Sequence, residues 1–220
     1  MAAPTLKRRD YMKTITIDIE TASVENLDAC GVYRYAELGL FSLLLVSYSI
    51  DGGPVATVDI DNGDTLPDEI LSALTDKSVI KKAFNVNFER VCLSVYLRRN
   101  YPDLLNFDDA VGNYIDPESW QCDMIHSRYL GMMSSLDGMG KLLRLKEKKM
   151  SEGKDLIKFF CTLHEDKNGN LFFHDKSDAP KKWKKFVEYN RRDVEVELKI
   201  QRLLSEMPVP DFIWEEFYID

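Results

Sequence analysis

The chain has 220 residues, 45% of them hydrophobic and 30% charged. That is the make-up of one large globular domain with a core of its own, and it excludes a disordered or fibrous chain. The net charge of −8 excludes extensive nonspecific contact with duplex DNA, which needs a broad basic surface.

Residues Thr14–Thr21 are expected to form a β-strand, because Ile15, Ile17 and Ile19 alternate with Thr16, Asp18 and Glu20. The isoleucines then share one face, and Asp18 and Glu20 share the other. Two carboxylates so close are either solvated at a sheet edge or joined by a hard divalent cation, which prefers oxygen ligands. The stretch from Thr21 to Tyr35 is a mixed segment. Its segment Gly31–Tyr35 is aromatic and basic, suited either to packing on the core or to stacking on bases.

Phe41–Ile50 is expected as a central strand, Asp51–Pro54 as a turn, and Val55–Ile60 as the returning strand of a hairpin. Pro67 opens a short helix over Asp68–Leu74. Ser78–Phe84 is another strand, and it runs into Asn85–Glu89, from which an apolar-periodic helix continues through Val91, Val95 and Leu97. A capping box would need its acid at position 88, which is Phe88, so capping does not explain Glu89.

Tyr101–Glu118 is expected as a loop and Ser119–Cys122 as a last strand. Helices follow over Asp123–Tyr129, from a Ser134 or Ser135 cap to Leu145, and over Ser151–Phe160, with a basic turn at Lys146–Lys149 between the last two. Thr162–Pro180 is expected as an exposed hairpin with solvated His164 and His174. Lys181–Leu204 is the long final helix, after which an apolar tail, Phe212–Ile219, finds no obvious partner. Strands paired first in a hairpin and then through helices make a mixed sheet with helices on its faces.

In the final helix Phe186, Tyr189, Asp193, Val196, Ile200 and Leu203 fall on one face. Asp193 thus sits in an apolar stripe, where an unpaired carboxylate costs several kcal/mol. It must neutralise, meet a lysine at the stripe's edge, or find a cation. The neighbouring Lys181, Lys182, Lys184 and Lys185 either meet incoming phosphates or simply form the solvated face. The four cysteines, Cys30, Cys92, Cys122 and Cys161, include no C-x-x-C pair and read as reduced thiols. No run of apolar residues is long enough to span a bilayer.

Asp18-Ile19-Glu20-Thr21, Asn85-Val86-Asn87-Phe88-Glu89 and Tyr189-Asn190-Arg191-Arg192-Asp193 together resemble the three motifs of the DEDD exonuclease superfamily, in the right order. Tyr189 lies four residues before Asp193, which places the resemblance in the tyrosine (DEDDy) branch. Gly31–Ala36, Phe88–Cys92, Tyr129–Gly131 and Arg192–Glu197 extend it to the 3′–5′ proofreading domain of family A DNA polymerases, in the form found in bacteriophages and prophages. The likeness runs from residue 14 to 220. One departure is Glu89, where the superfamily normally has Asp; the longer side chain needs a different backbone offset or an intervening water.

The resemblance implies an RNase H-like mixed five-stranded sheet, with the antiparallel hairpin beside parallel strands. It implies two divalent cations, Mg²⁺ or Mn²⁺, held by Asp18, Glu20, Asp193 and Glu89, and catalysis by these four and Tyr189. Thr21 and Asn85 match positions near the terminal nucleotide, and Val24 a position that wedges against the last base. The implied substrate is a single-stranded or frayed DNA 3′ end, and the implied product a 5′-mononucleotide. Other readings are an RNase D-like RNA exonuclease, a catalytically weakened platform for a polymerase, and a non-catalytic nucleic-acid-binding module, which the acidic composition disfavours. Residues 1–11 are expected to be a leader or cloning remnant, 12–207 the exonuclease domain, and 208–220 the start of a connection to a polymerase domain in the same parent chain. The expected location is the cytoplasm, that of the bacterial host if phage-encoded.

Overall fold

The computed structural model describes residues 13–104, 113–145 and 152–216. A five-stranded sheet in the order β3-β2-β1-β4-β5 forms the middle layer. Its strands are β1 (Thr14–Ser23), β2 (Phe41–Ile50), β3 (Ala56–Asp59), β4 (Ile80–Ala83) and β5 (Trp120–Cys122). β1, β2 and β3 pair antiparallel, whereas β4 runs parallel to β1 and β5 parallel to β4. This is the expected mixed sheet.

β1 is central and covered on both sides. Ile15, Ile17 and Ile19 are at most 4% exposed and join the main core, which also holds Ile70 and Leu74 of α2 (Asp68–Thr75) and Val91 and Val95 of α3 (Val86–Asn100). The opposite face of β1 meets α7 (Pro180–Leu204), where Thr16 donates to the Gln201 side chain at 3.0 Å. Between Glu20 and Thr21 the β1–β2 register slips: Glu20 faces Leu45 and Thr21 faces Leu43. The extra residue, Leu44, makes a β-bulge in β2 beside the Asp18–Glu20 pair, a device that re-aims side chains.

Several local expectations change. The mixed stretch after β1 contains α1 (Leu27–Glu37), capped by the Asn26 side chain on the Ala29 N–H at 3.1 Å. Gly31, at φ +75°, breaks its helical run, which hides the period. Tyr35 packs in the core; Tyr33 stands edge-on to Tyr114, with ring centroids 5.1 Å apart, and accepts from Arg90 at 3.1 Å. Within this segment Tyr35 packs in the core, while Gly31, Tyr33 and Arg34 remain exposed. β3 gives way at Ile60 to a 3₁₀ turn through Asn62. α4 covers Asp123–Tyr129, and α5 spans Leu136–Leu142 with Ser135 as its side-chain cap. The basic turn at 146–149 lies outside the described residues, as do 1–11 and part of the Tyr101–Glu118 loop.

α6 (Gly153–Phe160) packs on α7 through Leu156 and Phe160 against Trp183 and Phe186. The following hairpin, β6 (His164–Glu165) with β7 (Leu171–Phe172), forms as expected. Its histidines are half-buried rather than solvated. His174 stacks on Phe159 at 4.0 Å between ring centroids, and His164 bonds the Phe159 carbonyl at 3.0 Å. On α7, Leu204 and not Leu203 is the last buried leucine, and Leu203 is exposed. Residues 217–219 of the expected tail lie outside the described residues, but its described part is packed. Val209 is buried, α8 covers Asp211–Glu216, and Trp214 packs against the main core. The cysteines are free thiols, and among the described residues no helix is long and apolar enough to cross a membrane.

Candidate active site

The parallel pairing of β1 and β4 puts their carboxyl ends on the same side of the sheet, the side where open α/β sheets bind ligands. Asp18 and Glu20 lie in the second half of β1, and α3 starts three residues after β4 ends, with Glu89 in its first turn. α7 crosses the other face of β1 and supplies Tyr189 and Asp193. Asp18, Glu20, Glu89, Tyr189 and Asp193 all line one cavity of about 590 Å³, so the three separated motifs meet. Thr21 and Val24 line the same cavity. The exposed Asn85 does not, and its side chain makes no capping bond to α3.

The site is acidic and most of its carboxylates are buried. Glu20, Glu89 and Asp193 are each less than a tenth exposed. Burial, reinforced by the Asp18 charge, holds the Glu89 carboxyl well above the usual carboxylate range. Its Oε2 is buried with no hydrogen-bond partner. Tyr189 is buried and its hydroxyl is pushed far above the ordinary phenol value, first by desolvation and then by Asp193, Glu20 and Asp18. It is thus a neutral group in this pocket, suited to orient a molecule and not to deprotonate one.

Three residues beyond the sequence expectations complete the site. Asn190, fully buried, donates to the Asp18 carboxylate at 2.6 Å and to the Asp18 carbonyl at 3.2 Å; it pins the half-exposed Asp18 side chain. Gly153, at the start of α6, lies against the Tyr189 ring, where an added Cβ would overlap Cε2 and fall 2.8 Å from Cδ2. Glu197, one turn beyond Asp193, is 1% exposed beside the buried Asp123. Gln201 donates to that Asp123 at 2.6 Å. Burial and the Asp123 carboxyl push Glu197 well above its ordinary value, and Asp18 and Glu89 add to the shift. Asn190 and Glu197 sit at positions the helical period of α7 places inward, one residue from the stripe already visible. Nothing local in the sequence marks Gly153, since its partner is 36 positions away.

Among the described residues no three acidic, histidine or cysteine side chains are already drawn together as a cage. The acids nevertheless fit hard cations: Asp18, Glu20, Glu89 and Asp193 bring carboxylate oxygens to one cavity, and the buried Glu89 Oε2 has no hydrogen-bond partner.

No protein-family model matches the chain. It is 39% identical over 201 residues to a DNA polymerase of Bacillus phage SP02, an alignment covering 89% of this chain and 28% of the polymerase. The chain is homologous to a segment of that polymerase, and it spans less than a third of its length. Solved structures resembling it include Brucella melitensis NrnC, with TM-score 0.49 and 14% identity over 89% of this chain and 73% of NrnC. Others are the same protein with bound Mg²⁺, at TM-score 0.47, and bound to pGG, also at 0.47, each 14% identical over 89% of this chain.

Proposed function

We propose that this chain is a metal-dependent 3′–5′ exonuclease domain. It removes 5′-mononucleotides from single-stranded or frayed DNA 3′ ends and proofreads for a family A DNA polymerase within the same parent chain. The observation that carries this reading is the convergence of Asp18, Glu20, Glu89, Tyr189 and Asp193 on one cavity. Homology to a segment of a phage DNA polymerase supports the choice of DNA.

Asp18, Glu20, Asp193 and Glu89 would hold the divalent cations, which supply an activated water and stabilise charge on the leaving oxygen. Asn190 keeps Asp18 turned into the site. Tyr189, neutral because it is buried among carboxylates, positions the attacking water through its hydroxyl. The Thr21 hydroxyl, within 2.9 Å of the Tyr35 hydroxyl, and Val24, half-exposed on the cavity wall and pressed against Gly39, receive the terminal nucleotide. A cavity of about 590 Å³ admits a nucleotide-sized end but no duplex, so a frayed end is preferred.

The test is digestion of a 5′-labelled single-stranded DNA oligomer with Mg²⁺ or Mn²⁺, beside an RNA of the same sequence. A ladder shortening from the 3′ end, lost with chelator and in Asp18→Ala, is the expected result. Intact DNA from folded protein with both metals overturns the catalytic reading. RNA cleaved in preference to DNA overturns the substrate assignment.

A further inference from the structure

A second cavity, of about 650 Å³, lies beside α7 where it meets Thr14 and Thr16 of β1 and shares no lining residue with the first. Lys82 of β4 and Arg191, Arg192, Lys199 and Arg202 of α7 all line it. Among the described residues the acids in the lining are Asp51 and Glu195. Asp51 is engaged locally, its Oδ1 accepting the Lys13 and Thr14 N–H groups at 2.9 and 2.8 Å. Glu195 is shared by two guanidiniums, at 3.2 Å from Arg191 and 3.2 Å from Arg192. A protein of net charge −8 therefore sets five cations against two acids among the described residues of one pocket.

We propose that this cavity binds a chain of phosphates, either a nucleic-acid strand or a free nucleoside polyphosphate. The cations run along α7 from Arg191 to Arg202, about 16 Å at 1.5 Å per residue, which is long enough to meet several phosphates in succession. Arginine forks suit phosphate oxygens, and a lysine adds a mobile point charge. The facing wall is the turn Asp51–Pro54, where Gly52, at φ +71°, has open space beside its Cα, while the N–H and carbonyl of Gly53 are held by Ile50 and Ser49. Leu198, Pro54 and Val55 add apolar surface. That mixture matches a sugar or base beside its phosphates better than it matches a purely acidic peptide. The inference does not depend on the exonuclease reading, because no residue of the carboxylate cavity takes part.

The test measures binding in chelator to Asp18→Ala protein, so that no strand is degraded. Its probes are inorganic triphosphate, a nucleoside triphosphate and a fluorescent single-stranded oligomer. The comparison is the same protein carrying Lys199→Gln and Arg202→Gln. Binding weakened about tenfold or more, with the salt slope for the oligomer reduced by about 1.4 for two lost contacts, is the expected result. If only the oligomer responds the ligand is a strand, and if only the triphosphates respond it is a free nucleotide. An independent reading comes from the protein with its lysines intact: triphosphate should shield Lys82 and Lys199 from amine acylation. Affinity unchanged by the double substitution, no shielding, or equal displacement by an acidic peptide of the same charge overturns the proposal.

Discussion

Tyr189 shows how much one side chain depends on its seat. Its ring is fixed between the Phe186 ring, 6.3 Å away and nearly parallel, and the backbone of Gly153. Tyr189→Phe should lower the single-turnover rate about 10- to 100-fold with little change in substrate affinity, since only water positioning is lost. Gly153→Ala should do nearly the same by displacing the ring, and the double variant should be hardly slower than either single one. Additive losses would show that Gly153 acts elsewhere. A second residue-scale outcome concerns Glu197. Its folded carboxyl titrates well above the unfolded value because of burial and Asp123, so the folded state holds the proton longer. Stability in chelator should therefore fall as pH rises from the ordinary Glu value, about 4.3, through the raised one. Glu197→Gln should flatten that fall and raise the melting temperature at pH 7–8, read from thermal scans.

At the scale of elements, α7 ties the site together. It carries Tyr189, Asn190, Asp193 and Glu197 on one side, and its Trp183 donates to Asp59 of β3 at 2.8 Å. Phe160 of α6, fully buried, lies edge-on to Trp183 and stacked near Phe186, with centroids at 4.9 and 5.2 Å. Phe160→Ala should cost about 3–5 kcal/mol in denaturant unfolding, because the rings around it cannot collapse into the gap. β4 offers an independent check. Lys81 is 1% exposed, donating to the Asp76 carbonyl and to Ser119 at 2.9 Å, and burial pushes it down to about 8. Between pH 8 and about 10.4 the unfolded chain keeps a proton that the folded one has lost, so stability should rise with pH across that window. Lys81→Met should abolish the rise. A rise that persists in Lys81→Met would assign it to another group.

For the whole molecule, the sharpest expectation is linkage between cations and folding. The half-exposed Asp18 and the buried Glu20, Glu89 and Asp193 are crowded around one cavity in the folded state alone. Mg²⁺ should therefore raise the melting temperature, by an amount equivalent to about 2.7 kcal/mol at a hundred times its dissociation constant. The gain should grow from pH 5 to pH 8, because binding requires the raised Glu89 carboxyl to release its proton. Asp18→Ala should remove most of this response. A thermal shift independent of pH would exclude Glu89 from the ligand set.

The chain by itself determined the elements whose period is unbroken. β2 spans Phe41–Ile50 in both readings, and α7 begins one residue before its expected start and ends at the expected Leu204. Alternation and 3.6-residue periodicity are local, so Asp18, Glu20, Tyr189 and Asp193 could be placed on the right faces from sequence. What crosses long sequence distances needed the tertiary structure. Asn190 holding Asp18, Gly153 under Tyr189 and the Asp123–Glu197 pair each join positions separated by 36 residues or more, and their local surroundings are unremarkable for cap or core. α1 was hidden by the positive φ of Gly31, and Trp214 found its partner only once the core existed. The basic cavity belongs to the same class: its cations come from β4 and α7, and only the packing of α7 across the sheet sets them around one space.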